Sequence, residues 1–130
     1  MLVDTNVISE LMRPKPSGVV LAWAERQEEF ALSVVCLEEI MFGLQARPSP
    51  RLSQWFDEFV ANHCEILPVT AAVARRCAML RGQARSRGHR RTQADGLIAA
   101  TAYEHGLALA TRNVRDFEGC GIPLFNPFQD

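Results

Sequence analysis

The feature that most constrains the fold of this chain is the alternation of very short apolar runs with helical segments. Met1-Leu2-Val3, Phe30-Ala31-Leu32, Ile66-Leu67, Leu107 to Ala110 and Pro123-Leu124-Phe125 are too short for helices and lack polar alternation, so each reads as a strand, the last one at an edge. Buried strands that alternate with helices give an α/β fold with a parallel sheet covered on both faces.

The helix signals fill the gaps. Asp4-Thr5-Asn6 reads as a strand end meeting a helix cap, with helix from about Val7 to Arg13, where Pro14 and Pro16 break it. Ser17 or Gly18 starts a second helix with Val19, Val20 and Trp23 on one side, and Ser33 caps a third from Val34 to about Ala46. After Pro48 and Pro50, residues Leu52, Trp55, Phe56, Phe59 and Val60 follow the i, i+3, i+4, i+7, i+8 pattern. That stripe packs on the core or, alternatively, forms a dimer or partner surface. Two further helices run from Thr70 to Arg87 and from about Gln93 to His105, the second closed by Gly106 as a C-cap.

With 130 residues and no repeat, linker or low-complexity stretch, the expectation is a single domain over residues 1–130. No apolar run approaches the roughly 20 residues that span a bilayer, so no membrane partner and a cytoplasmic location are expected. Cys36, Cys64, Cys77 and Cys120 form no Cys-x-x-Cys pair and read as buried, reduced thiols.

The net charge of −1 conceals an asymmetry. Residues 1–65 hold ten acids against five bases, whereas the remainder holds five acids against nine arginines. Arg85, Arg87, Arg90 and Arg91 cluster in one stretch beside His89, which suits a polyanion such as RNA, or else is a solvated loop.

In a parallel sheet, ligands bind beyond the carboxyl ends of the strands, above all where strand order reverses. Asp4 ends the first strand and Asp116 follows the fourth, so both can reach one rim. Asp95 shares a helical stripe with Ile98, Ala99 and Ala102. If that stripe packs inward, its carboxylate needs a counter-charge, since burying it alone costs several kcal/mol; otherwise it is an exposed acid complementing the helix dipole. Between Glu38 and Glu39 periodicity does not choose. All of these candidates are carboxylates, and no histidine pair stands at a zinc spacing. Oxygen ligands select hard cations, Mg²⁺ or Mn²⁺, which suit phosphoryl chemistry.

Four blocks carry a resemblance. Val3-Asp4-Thr5-Asn6-Val7-Ile8-Ser9-Glu10-Leu11, then Ser33-Val34 through Glu39-Ile40 to Gly43, then Ala94-Asp95-Gly96-Leu97-Ile98-Ala99-Ala100-Thr101-Ala102, then Thr111-Arg112-Asn113-Val114-Arg115-Asp116-Phe117 occur in order before Asn126-Pro127-Phe128. Together they resemble the PIN-domain toxins of bacterial VapBC-type toxin–antitoxin pairs over essentially the whole chain. The resemblance implies a three-layer α/β/α domain with a short central parallel sheet. It also implies a hydrolase, a Mg²⁺- or Mn²⁺-dependent endoribonuclease selective for single-stranded RNA, inhibited by a cognate antitoxin whose tail covers the site; a homodimer is the expected assembly. The acidic, metal-holding catalytic centre falls on Asp4, Glu39, Asp95 and Asp116, the last acting directly or through water. Thr5 or Asn6, and Thr111 with Asn113, match positions that support the acids by hydrogen bonds. Glu39 is preferred to Glu38 through the Glu-Ile-x-x-Gly run. Gly96 departs from the family's more frequent alanine, and a helical glycine, costing about 0.5–1 kcal/mol, is expected to loosen the turn that presents Asp95.

Two other classes compete. A phosphatase using Asp4 as nucleophile needs a second acid two residues on, where Asn6 stands. An interaction module that kept the fold without catalysis would not need all four acids.

Overall fold

The computed structural model describes residues 1–129. Five strands, β1 (Leu2–Val3), β2 (Phe30–Ser33), β3 (Cys64–Leu67), β4 (Leu109–Ala110) and β5 (Leu124–Phe125), form one sheet in the order β3-β2-β1-β4-β5. Every pairing is parallel, with Leu2 opposite both Ala31 and Leu109, and Leu109 opposite Leu124. The helices that flank it are α1 (Thr5–Leu11), α2 (Gly18–Glu25), α3 (Val34–Ala46), α4 (Pro50–His63), α5 (Ala71–Ser86) and α6 (Gln93–Glu104), with a 3-10 turn at Val114–Phe117. The α/β architecture expected from the alternation is what the chain adopts.

The chain steps outward from β1 to β2 and β3, then returns to build β4 and β5 on the other side of β1. Strand order therefore reverses between β1 and β4, and the residues after these two strands, Asp4 and Thr111, flank the position where an open α/β sheet forms its ligand crevice.

Leu2, Ile8, Leu32, Phe56, Ile98, Leu109 and Phe117 are fully buried, and each contributes about 1.5–3 kcal/mol through loss of water contact. The stripe on α4 packs on the protein's own core: Phe56 and Phe59 are buried, with Leu52, Trp55 and Val60 against them, and the Trp55 and Phe59 rings stack at 5.0 Å. On α2 the inward side is Val20 and Trp23, while Val19 is exposed, contrary to its expected place beside them.

Two boundaries differ from the sequence reading for local reasons. Helix α1 starts at Thr5 rather than near Val7, because Asp4 itself is the N-cap and its Oδ1 accepts from the Thr5 N–H. Strand β4 is confined to Leu109–Ala110, because Leu107 is spent on ending α6. Gly106 takes φ +62°, its N–H donates to the Tyr103 carbonyl, and the Leu107 N–H donates to the Ala102 carbonyl, the paired bonds of a Schellman stop.

Gly96 does not loosen its helix. A Cβ there would lie 2.7 Å from Cys77 Sγ and 3.3 Å from Arg81 Cγ, so the glycine is what lets α6 lie close against α5. The expected cost in helix propensity is offset by this packing.

Candidate active site

Asp4 leaves the central strand and is buried at 6% exposure. Its Oδ1 accepts from the Thr5 N–H at 2.8 Å, and its Oδ2 accepts from Thr111 Oγ1 at 2.8 Å and Asn6 Nδ2 at 3.2 Å. Burial pushes the carboxyl above its ordinary range, these three donors pull it back, and the negative charge of Asp116 raises it again, so the net direction is upward. Oδ2 is saturated by two donors, while Oδ1 retains a lone pair for a further partner.

The other acids approach from separate elements. Thr5 Oγ1 donates to Glu39 Oε1 at 3.1 Å, so α1 ties the outer end of Glu39 on α3 to the residue after Asp4. Asp95 is the third residue of α6, half-buried, and its N–H donates to Thr92 Oγ1 at 3.1 Å. Burial raises the Asp95 carboxyl, the charges of Asp4 and Asp116 raise it further, the Thr92 contact lowers it, and Glu39 adds a last upward push. Asp116 stands exposed in the 3-10 turn. The charges of Asp4, Asp116 and Glu39 thus all bear on Asp95, beside the reversal point.

Of the supporting residues, both Thr5 and Asn6 contact an acid, where the sequence reading asked for one or the other. Asn6 also links the two central strands: its Nδ2 reaches Thr111 Oγ1 at 3.4 Å, and its Oδ1 accepts from the Arg112 N–H at 3.1 Å. Asn113 acts through its main chain. Its backbone N–H, not its side chain, donates to Thr111 Oγ1 at 3.0 Å, which leaves the Thr111 proton for Asp4.

The basic stretch divides. Arg81, Arg85, Gly88, His89, Arg90 and Arg91 line an open cleft of about 680 Å³. Arg87 is the C-cap of α5 and is not part of that lining. Arg91 lines the cleft and is also tied down: Nη1 donates to the Asp116 carbonyl at 2.7 Å and Nη2 to the Glu118 carbonyl at 3.3 Å, at the end of the 3-10 turn. Thr92 was overlooked, although a threonine three residues before an acid at a helix start is a known cap signature. Nothing in the sequence pattern marks the Arg91 contact.

Among the described residues no three acid, histidine or cysteine side chains stand close enough to hold an ion as they are. The donor chemistry nevertheless fits a hard cation: the converging groups are all carboxylates, Asp4 keeps an open lone pair, and Glu39 and Asp116 lie exposed where they can turn. A cation would also offset the burial that raises Asp4 and Asp95 and the carboxylate repulsion that adds to it.

The sequence profile of the PIN domain matches residues 1–119. The chain belongs to the PIN domain family. This PIN domain is similar to the VapC ribonuclease Y4jK of Sinorhizobium fredii, 36% identical over 99% of this chain and 98% of that protein. It is similar to the toxin FitB of Neisseria gonorrhoeae, 34% identical over 100% of this chain and 99% of the relative. In three dimensions it resembles a chain in the crystal structure of FitAcB from Neisseria gonorrhoeae, with a TM-score of 0.84, 33% identity, and 99% of each chain covered.

Proposed function

We propose that this PIN domain is an endoribonuclease that cleaves single-stranded RNA with Mg²⁺ or Mn²⁺ and acts as the toxin of a bacterial toxin–antitoxin pair. It works in the cytoplasm, as a homodimer, and is silenced by a cognate antitoxin. The observation that carries this reading is the buried, triply hydrogen-bonded Asp4 at the strand reversal, with Glu39, Asp95 and Asp116 in electrostatic reach of one another around it. Relatives named a VapC ribonuclease and a toxin, matched over nearly their whole length, support it.

In this reading Asp4, Glu39, Asp95 and Asp116 hold the cation, which supplies Lewis-acid activation of water and neutralises charge developing on the phosphate. The Thr111 hydroxyl and the Asn6 amide fix the Asp4 carboxylate so that no reorientation is needed during reaction. Thr5 steers Glu39 toward the same crevice. Arg85 and Arg90, on the wall of the basic cleft, hold backbone phosphates of the RNA.

Purified protein tests the proposal. Single-stranded RNA should be cut with Mg²⁺ or Mn²⁺, spared in chelator, and spared again when the antitoxin is added. Cleavage indifferent to chelator would overturn the metal assignment; absence of cleavage on every RNA would overturn the ribonuclease reading.

A further inference from the structure

Beyond the cleft of the arginine-rich stretch, a second open cleft of about 530 Å³ lies beside the acids, walled by Arg112, Asn113, Val114, Arg115, Asp116, Asn126 and Gln129. We propose that this cleft is a separate phosphate subsite for the RNA strand, formed by Arg112 and Arg115 next to the acidic centre. The proposal rests on the ribonuclease reading and adds where the strand lies.

Three observations place it. Asp116 is a wall of the cleft and also acts electrostatically on Asp4 and Asp95, so a group bound there adjoins the acids. The Arg112 N–H is bonded to Asn6 Oδ1, and Asn6 is bonded to Asp4, which puts the Arg112 backbone one side chain from the buried carboxylate. The Arg112 guanidinium lies 4.6 Å from the Phe128 ring centroid, which restrains it without neutralising it.

The charge balance favours an anion. Arg112 and Arg115 line the cleft with a single carboxylate, Asp116, and among the described residues neither arginine is in a salt bridge, although Arg112 also acts electrostatically on Glu10. The Arg115 side chain makes no hydrogen bond among the described residues and is exposed. Arginine forks, together with the amide side chains of Asn113, Asn126 and Gln129, suit phosphate oxygens and leave bases unread.

The two clefts share the 3-10 turn: Arg91 holds its carbonyls from one, and Val114, Arg115 and Asp116 line the other. A strand bound in the second cleft lies against Asp116, so a phosphate held there adjoins the acidic centre.

The test uses full-length protein carrying Asp4→Asn, so that RNA is bound and not cut, and a single-stranded oligonucleotide in which one phosphate at a time is a neutral methylphosphonate. One position should weaken binding roughly tenfold, as loss of a charged hydrogen-bonded contact does. In Arg112→Gln/Arg115→Gln that position should become indifferent, while the positions read by the arginine-rich cleft keep their penalty. The slope of log affinity against log salt should fall by about 0.7, the value for one phosphate lost from a single strand. Arg115→Gln alone, at a side chain with no packing role, should take about half of that change. A methylphosphonate profile and salt slope equal in parent and variants would overturn the subsite while RNA binding by the parent leaves the ribonuclease reading intact. An Asp4→Asn parent that does not bind RNA, with an unsubstituted protein that does not cut it, would overturn both.

Discussion

The guanidinium of Arg91 donates to the main-chain carbonyl of Asp116 at 2.7 Å, joining the end of the basic stretch to the turn that carries the last acid. Arg91 is therefore expected to position Asp116 rather than to bind RNA. Arg91→Met should lower cleavage about tenfold at saturating RNA, the usual range for loss of a group that orients a metal ligand, with little change in the salt slope of binding. Arg85→Ser/Arg90→Ser should do the reverse, weakening binding and flattening its salt dependence. Equal effects on both readouts would remove the distinction.

Asp4→Asn keeps the volume of the buried side chain and removes its charge. RNA cleavage should fall more than roughly a hundredfold, beyond the usual penalty for an outer-sphere group. The fold should persist, because the side-chain volume is kept and the new amide oxygen can go on accepting from the Thr111 hydroxyl and the Asn6 amide. Circular dichroism and a cleavage assay on one preparation check both halves.

A further expectation concerns thermal stability. With the four acids uncompensated, millimolar Mg²⁺ or Mn²⁺ should raise the melting temperature by binding only the folded state. The quadruple variant Asp4→Asn/Glu39→Gln/Asp95→Asn/Asp116→Asn should lose that shift. A melting curve indifferent to both ions would argue against the metal site.

Gly96→Ala should destabilise the protein by about 1–3 kcal/mol, the usual cost of overpacking, although alanine is the better helix former by about 0.5–1 kcal/mol. The added methyl meets the buried Cys77 Sγ at 2.7 Å. Adding Cys77→Ala should recover most of the loss, which a denaturant double-mutant cycle measures directly.

Glu10 supplies a pH dependence independent of the acidic centre. It is buried on α1, where the Ser17 N–H at 2.8 Å holds its carboxyl below the usual value, burial opposes that, and Arg13 at 3.2 Å and then the charge of Arg112 lower it further. The unfolded chain takes up the proton first. This stabilisation is therefore present above the ordinary value of 4.5 and is lost as pH falls through the lower folded value. Glu10→Gln should lower the melting temperature by about 4 °C at neutral pH, and the difference should shrink as the pH is taken from about 5 to about 3.

The strands and helices were readable because each has a local cause: Ser33 caps α3, Thr70 caps α5, and the α4 stripe has one period. Val19 was misplaced because three apolar residues in one short helix do not tell which two face inward. The acids were legible individually as strand-end or helix-start residues, whereas their mutual approach was not, since it depends on the reversal of strand order. Arg91 escaped for the same reason. Its partner is a carbonyl 25 residues away, and no side-chain pattern announces a backbone acceptor.

The bond from Thr111 to Asp4 closes a span of 107 residues. On a ribosome adding ~5–20 residues per second, Thr111 is joined to the chain roughly 5–20 s after Asp4. Until then β1 lacks its neighbour β4, Asp4 lacks one of its three donors, and Asp116 does not yet exist. An unfinished chain therefore lacks the assembled acidic centre while the RNA is translated beside it. Prematurely terminated products ending before β4 share that lack, so the centre is assembled only in a nearly complete molecule.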